Sequence, residues 1–149
     1  MPGIIIKQVS SSSPEYLQVW RLREEILRKP LGLSLKNEDL SDDAMDAIFI
    51  AIHNDLVIGC VMMHPLQNKT MKLRQMAVYE PWQGKGIGQL LVREAENYSW
   101  QNGYDKIELH ARQHAIGFYS HLGYHVTSDL FIEVNIPHVA MEKINNSAA

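Results

Sequence analysis

One stretch limits the folds open to this chain more than any other, the run from Leu73 to Gly88. Residues up to Val78 alternate as a strand does, Pro81 marks a turn, and Gly84, Gly86 and Gly88 make a loop that opens a helix. Without a Cβ in the way, the backbone N–H groups of such a loop can be approached closely. The helix behind it adds the positive end of its dipole. The product is an anion site, and the expected anion is a phosphate or diphosphate. Taken alone, the same glycines are also compatible with a turn that merely packs a helix tightly.

Spacing narrows the ligand. A phosphate loop of the Walker type needs a Ser or Thr after its lysine to ligate magnesium. Here Lys85 is followed by Gly86, so that reading fails. A dinucleotide fingerprint needs Gly-x-Gly-x-x-Gly after the first strand of a parallel unit. Here Gly84-x-Gly86-x-Gly88 follows what reads as an antiparallel meander, with the wrong spacing.

The chain has 149 residues, enough for one cored domain over positions 1–149. Its 46% apolar and 21% charged content is that of an ordinary globular protein. A formal net charge of −3 carries no basic excess, so nucleic acid is not an expected partner. The single cysteine, Cys60, excludes an internal disulfide and a cysteine-based zinc cluster, and its apolar neighbours suggest a buried strand thiol. No apolar run reaches the ~18 residues of a membrane span. The first residues lack the pattern of a signal peptide. A cytoplasmic protein with no membrane partner is the expectation.

Elements follow from periodicity and punctuation. Strands are predicted over Gly3–Val9, Ala47–His53, Leu56–His64, Thr70–Tyr79, Lys106–Ala111, Tyr124–Thr127 and Leu130–Lys143, the last interrupted at Pro137. Asn54-Asp55 reads as a hairpin turn, and Pro65–Lys69 as another. In the strand from Thr70, Met71, Leu73, Gln75 and Ala77 are expected on one face, opposite Lys72, Arg74, Met76 and Val78. Helices are predicted over Pro14–Arg28, with Leu17, Trp20, Ile26 and Leu27 on its apolar stripe, and over Gln113–Leu122. The clearest helix is Gly84–Gln101, with Ile87, Leu90, Leu91, Glu94, Ala95 and Tyr98 on one face and Gly103 as its stop. Leu31–Asp43 reads as a loop or one short helix, and Asn145–Ala149 is expected to fray. The predicted order is β-α-β-β-β-α-β-α-β-β.

Two segments together carry a resemblance. Gln83-x-x-Gly86-x-Gly88, preceded by Met76-Ala77-Val78, is similar to the coenzyme A diphosphate loop of the GNAT superfamily of acetyl-CoA-dependent N-acyltransferases. Downstream, Ala115-Ile116-Gly117-Phe118-Tyr119 through Gly123-Tyr124 resembles that superfamily's second motif, one helix and one strand later. The closing segment Glu133–Lys143 is also similar to a bacterial subgroup of unassigned substrate. The resemblance implies an α+β fold of α/β/α layers, with a mixed, mostly antiparallel sheet, a bulged central strand and flanking helices.

The resemblance also implies roles. Backbone amides of Gln83, Gly84, Lys85, Gly86, Ile87 and Gly88, with Gln89 on the first helical turn, would hold the diphosphate. Met76, Ala77 and Val78 would pair with the pantetheine arm, and the Met76 N–H would point at the thioester oxygen. Phe118 would line the coenzyme. Tyr119 would donate a proton to the departing thiolate, as a phenol of pKa ~10 can at neutral pH. Arg112 stands where many members have an Asn that contacts the coenzyme; a pantetheine carbonyl or a phosphate is within its expected reach. The base that takes the amine's proton is not set by the motifs; Glu133, His138 and His110 are the candidates. Arg23 and Arg28, on or near the expected acceptor side, are candidates for a substrate carboxylate or phosphate. No metal is expected. The implied activity is acetyl transfer from acetyl-CoA to a primary amine in a ternary complex, with a small molecule as acceptor and a peptide N-terminus or lysine as the alternative. A non-catalytic acyl-CoA sensor or scaffold is the competing class, and a homodimer is compatible with either.

Overall fold

β-Branched and apolar side chains on both faces of Ala47–His53 (β2) and Leu56–Pro65 (β3) mark these strands as central, since a strand buried on both sides loses its polar alternation. The computed structural model describes residues 3–146 and places them so. Around them run Ile5–Val9 (β1), Thr70–Val78 (β4), Lys106–Arg112 (β5), His125–Val126 (β6), Phe131–Glu133 (β7) and Ile136–Ile144 (β8). The sheet order is β1-β2-β3-β4-β5-β8-β6, with β7 also on β8. Every pairing is antiparallel except β4 with β5. That parallel pair is joined by the crossover helix Ile87–Gln101 (α2).

Two cores separate the layers. Phe49, Ile58, Val61, Leu73 and Leu109 pack beneath α2 and the short helix Ile116–His121 (α3). Ile48, Ile50, Cys60 and Met62 pack beneath Tyr16–Arg23 (α1) on the opposite face. The mixed, mostly antiparallel sheet between helical layers is the α+β arrangement expected.

Several boundaries differ, each for a local reason. Gly84 to Gly86 form the loop rather than a first turn of α2. On α2, Glu94 is exposed and Leu90 and Tyr98 are half-buried; Val92, Glu96 and Ser99 join the buried face. Glu96 is accommodated there by Tyr124 Oη at 2.9 Å and Lys143 Nζ at 3.1 Å, partners that a hydrophobic period cannot show. Likewise α1 buries Val19, Leu22 and Arg23, while Leu17 is exposed. After Arg23 the helix widens into a π-helical turn, Glu24–Arg28. Leu31–Asp43 holds short 3-10 turns. The last long strand is not broken at Pro137, which pairs with Ile132. It is split into β7 and β8 by Val134-Asn135, a two-residue turn with φ of 46° and 65°, which adds a strand to the predicted order. Asn145 is not frayed, since its N–H donates to Asp105 O at 2.9 Å; residues 147–149 of the expected frayed tail lie outside the described residues.

Two irregularities open the sheet. The β4–β5 pairing runs from Thr70↔Lys106 to Leu73↔Leu109 and stops. Just there β4 bulges: between Met62↔Arg74 and Cys60↔Ala77, one residue of β3 faces Gln75 and Met76. Gln75 takes a left-handed φ of 56°. The extra residue flips the alternation. Met71 and Leu73 sit in the α2-side core, while Ala77 sits in the α1-side core. The single-face pattern read for this strand therefore holds only up to the bulge.

Candidate active site

The divergence of β4 and β5 leaves a cleft of 1120 Å³. One end of it is built by the glycine loop. Gly84 and Gly86 have φ of 75° and 87°, left-handed values that any Cβ would strain, and a Cβ at either would meet no atom within 4 Å. Space for an anion therefore lies directly over the loop backbone. α2 has no side-chain cap, and its first intrahelical bond is Leu90 N–H to Gly86 O at 3.1 Å. The amides of Ile87, Gly88 and Gln89 precede that bond and are free to bind an anion. The Gln83 carboxamide donates to Val78 O at 2.8 Å, tying the loop to the end of β4. Gly88 has a packing reason: a Cβ there would come within 3.1 Å of the Phe118 ring. The Lys85 side chain sits 6.0 Å over the Trp82 ring and does not line the cleft. These features fit a diphosphate.

The bulge is held at Gln75 through both its side chain and its backbone carbonyl. The Gln75 carboxamide oxygen accepts from Arg23 Nε at 3.1 Å, and the Cys60 thiol donates to Gln75 O at 3.4 Å. Arg23 is 1% exposed and its Nη1 lies 2.8 Å from Asp43 Oδ2. Asp43 also accepts from Tyr16 Oη and, at 2.6 Å, from Arg74 Nη2. Burial would raise the Asp43 carboxyl, but the Tyr16 and Arg23 hydrogen bonds and the two guanidinium charges together hold it below the usual range. Met76, the second bulge residue, has no partner in the ladder and lines the cleft beside Val78, while Ala77 is buried.

Tyr119 reaches the cleft from α3. Its ring is buried, edge-on to Phe118 (centroids 5.0 Å apart) and Tyr124 (5.8 Å apart). Its hydroxyl bonds to no other described residue, and burial raises its pKa above the ordinary phenol value. Phe118 lines the cleft beside it. Cys60, by contrast, is sealed in the core, where burial pushes its thiol up to about 12; it is unsuited to act as a nucleophile.

The opposite wall brings the three base candidates together. His110 Nδ1 is 2.9 Å from Glu133 Oε1, and His138 Nε2 is 3.9 Å from Glu133 Oε2. His138 is buried, and its Nδ1–H donates to Ile136 O at 2.9 Å. Phe131 lies between the two imidazoles, edge-on to His110 and stacked on His138. Arg112 pairs in register with His138. Its guanidinium donates to Leu27 O, on the turn after α1, at 2.9 Å. Ala111 beside it belongs to the α2-side core, so Arg112 lies on the α1 face of the strand.

Sequence reading missed a further pair, on the β3–β4 side of the cleft. His64 Nδ1 lies 2.6 Å from Asp46 Oδ1, and Asp46 is locked by Arg74 Nε at 3.0 Å. The signal was the β2–β3 hairpin, whose two ends these residues flank. A bulge between Ala51 and Ile52 slips the register by one residue and hides the match from simple counting.

Comparisons with known proteins bear on this geometry. Residues 11–124 match the acetyltransferase (GNAT) family. Among curated proteins, YyaT of Bacillus subtilis (strain 168) is 36% identical over 74 residues, which is 50% of each chain. A second B. subtilis protein, one that carries an acetyltransferase name, is 30% identical over 146 residues, 96% of this chain and 98% of its own. A Lactobacillus plantarum structure of the N-acetyltransferase type superposes with a TM-score of 0.86 at 25% identity, covering 96% of this chain and 99% of that one. A GNAT acetyltransferase from Elizabethkingia anophelis, solved with acetyl-CoA bound, superposes with a TM-score of 0.70 at 17% identity over 97% and 99% of the two chains. With the splayed strands, the bulge and the open helix terminus in place, the chain belongs to the GNAT acetyltransferase family, a family of acyltransferase enzymes.

Proposed function

We propose that this protein moves an acetyl group from acetyl-CoA to a primary amine on a small molecule, with both substrates bound at once. The observation that carries this reading is a meeting along one cleft: free amides at the start of α2, an opened and bulged strand, and the unspent Tyr119 hydroxyl. Acetyl-CoA, when bound, supplies an activated acyl group and a thiol leaving group. The amides from Gly84 to Gly88, with Gln89, hold its diphosphate, and the bulge backbone at Met76 and Val78 lines its arm. The Met76 N–H polarises the thioester oxygen, an interaction worth about 2.7–4 kcal/mol where single donors of this kind have been removed.

A primary amine of pKa up to ~10.4 is mostly ammonium at pH 7 and must lose a proton before it attacks. With Nδ1–H on Glu133, His110 has Nε2 free to take that proton. His138 packs against Phe131 and holds the same corner. As the new C–N bond forms and the C–S bond breaks, Tyr119 gives its proton to the sulfur. The tie from Arg112 to Leu27 O joins the two walls of the acceptor side and favours a small acceptor over a peptide N-terminus or lysine.

Calorimetry with coenzyme A, followed by thiol release over a panel of amines and peptides, tests the reading. Transfer predicts coenzyme binding and amine-dependent thiol release. A sensor or scaffold would bind the coenzyme and release no thiol with any amine; a protein that does not bind it would end both readings.

A further inference from the structure

We infer that the acceptor amine carries an anionic group, a carboxylate or phosphate, and that Arg112 receives it beside Arg28. This rests on the acetyl-transfer reading and adds the chemical class of its acceptor. Both guanidinium groups line the cleft and converge on one carbonyl: Leu27 O accepts from Arg112 Nη2 at 2.9 Å and from Arg28 Nη1 at 3.2 Å. Two like charges on one oxygen repel each other, and an anion between them relieves that repulsion. Their partners differ. Arg28 spends its Nε and Nη2 on Glu38, at 2.6 and 3.1 Å. Arg112 is in no ion pair among the described residues, and its Nε and Nη1 bond to none of them.

Arg112 is also partly withdrawn from water, so its charge is poorly screened. Burial and the nearby Arg28 lower its pKa from the ordinary arginine value. Glu133 acts on it from beyond ion-pair distance, its own carboxylate being engaged by His110. A second uncommitted cation, Lys72, lines the same cleft and has no described partner. Asp42, the other carboxylate lining the cleft beside Glu133, is in no ion pair with either cation among the described residues. The cleft thus holds a carboxylate–imidazole pair suited to an amine and, two residues along β5, an arginine with open donors. Two strand residues span about 6.6 Å, a distance suited to a compact molecule with amine and anion close together. A guanidinium takes a carboxylate or phosphate with two parallel N–H bonds, which an amide or alcohol cannot match.

Arg112 lies on the α1 face of β5, whereas the loop amides belong to α2 on the other side of the sheet. The proposal therefore separates acceptor binding from coenzyme binding. The test uses matched amines that differ in the anion alone: L-amino acids against their amides, and 2-aminoethyl phosphate against ethanolamine. Thiol release is compared per unprotonated amine. At least one anionic partner is expected to show a kcat/KM ten-fold or more above its neutral match, and the pair that responds distinguishes carboxylate from phosphate. Arg112→Met should abolish that preference mainly through KM, Arg112→Lys should restore part of it, and coenzyme A affinity should be unchanged in both. Equal use of neutral and anionic amines overturns the inference, as does a loss of coenzyme affinity in Arg112→Met. If no amine releases thiol, acetyl transfer fails while this inference is still read by titrating the coenzyme-loaded protein with the same pairs. Tighter binding of an anionic member supports it; equal binding, or binding of neither, overturns it.

Discussion

At the scale of single residues, the site depends on groups whose environment suits one task. Tyr119 is the clearest case. A phenol that bonds to no other described residue and whose ionisation burial opposes is suited to the proton-donor role proposed for it. Tyr119→Phe is expected to lower kcat by about 100-fold or more, the usual contribution of a positioned acid. Because burial raises its pKa above the ordinary value, the pH–rate profile of the unmodified enzyme should show no loss from Tyr119 up to pH ~10. An alkaline limb that vanished in Tyr119→Phe would contradict this. Gln75 is a second case. Its left-handed φ costs energy that a glycine would avoid, and its side chain is what Arg23 grips. Gln75→Gly keeps the allowed backbone but removes the grip. Its kcat should fall with little change in folding stability, as measured by thiol release and urea melts on the same sample.

At the scale of elements, junctions matter more than the regular spans between them. The α2 N-terminus has no side-chain cap among the described residues, so its first amides are left open to the anion proposed to bind there. The β7–β8 hairpin shows a different local conflict. Two-residue turns of this kind need positive φ at both central residues and favour Asn and Gly. Here Val134, a β-branched residue, takes φ of 46° at the edge of the cleft. Val134→Asn is expected to stabilise the protein by about 1 kcal/mol, visible as a Tm rise of about 2–4 °C. An unchanged or lower Tm would mean that the valine side chain contributes more through packing than its backbone costs. The sequence hides this split of the last strand, since Pro137 is the expected breaker and Val134, a β-branched residue, gives no turn signal.

At the scale of the whole molecule, one charged network joins the α1 layer to the sheet. Arg23, Asp43 and Arg74 connect the helix, the segment before β2 and the bulged strand, and Asp46 extends the chain to His64. The Asp43 carboxyl is held below its unfolded value, so its contribution to stability is complete above the ordinary carboxylate range and fades as pH falls through the lower folded value. Asp46 works in the opposite sense, since burial raises it. Asp43→Asn isolates the first effect. It should destabilise the protein by about 3 kcal/mol at neutral pH, because a buried guanidinium loses its charge partner. The gap between variant and parent should close as pH drops below ~4. Denaturant melts at several pH values measure it, and a gap independent of pH would refute the assignment.

The glycine loop, the long helix behind it, the hairpin at Asn54-Asp55 and the aromatic pair Phe118-Tyr119 were all legible in the linear chain. Glycine spacing, turn chemistry and apolar period are properties of neighbouring residues, and neighbours are what a sequence displays. The clamp on the bulge, the convergence of His110, Glu133 and His138, and the shared carbonyl of Arg28 and Arg112 were decided by the tertiary fold. Each joins residues from separate elements, through registers that a one-residue bulge shifts. Buried polar groups such as Arg23 and Glu96 escape a hydrophobic period for the same reason: what makes their burial tolerable is a partner tens of residues away, brought close when the strands pair.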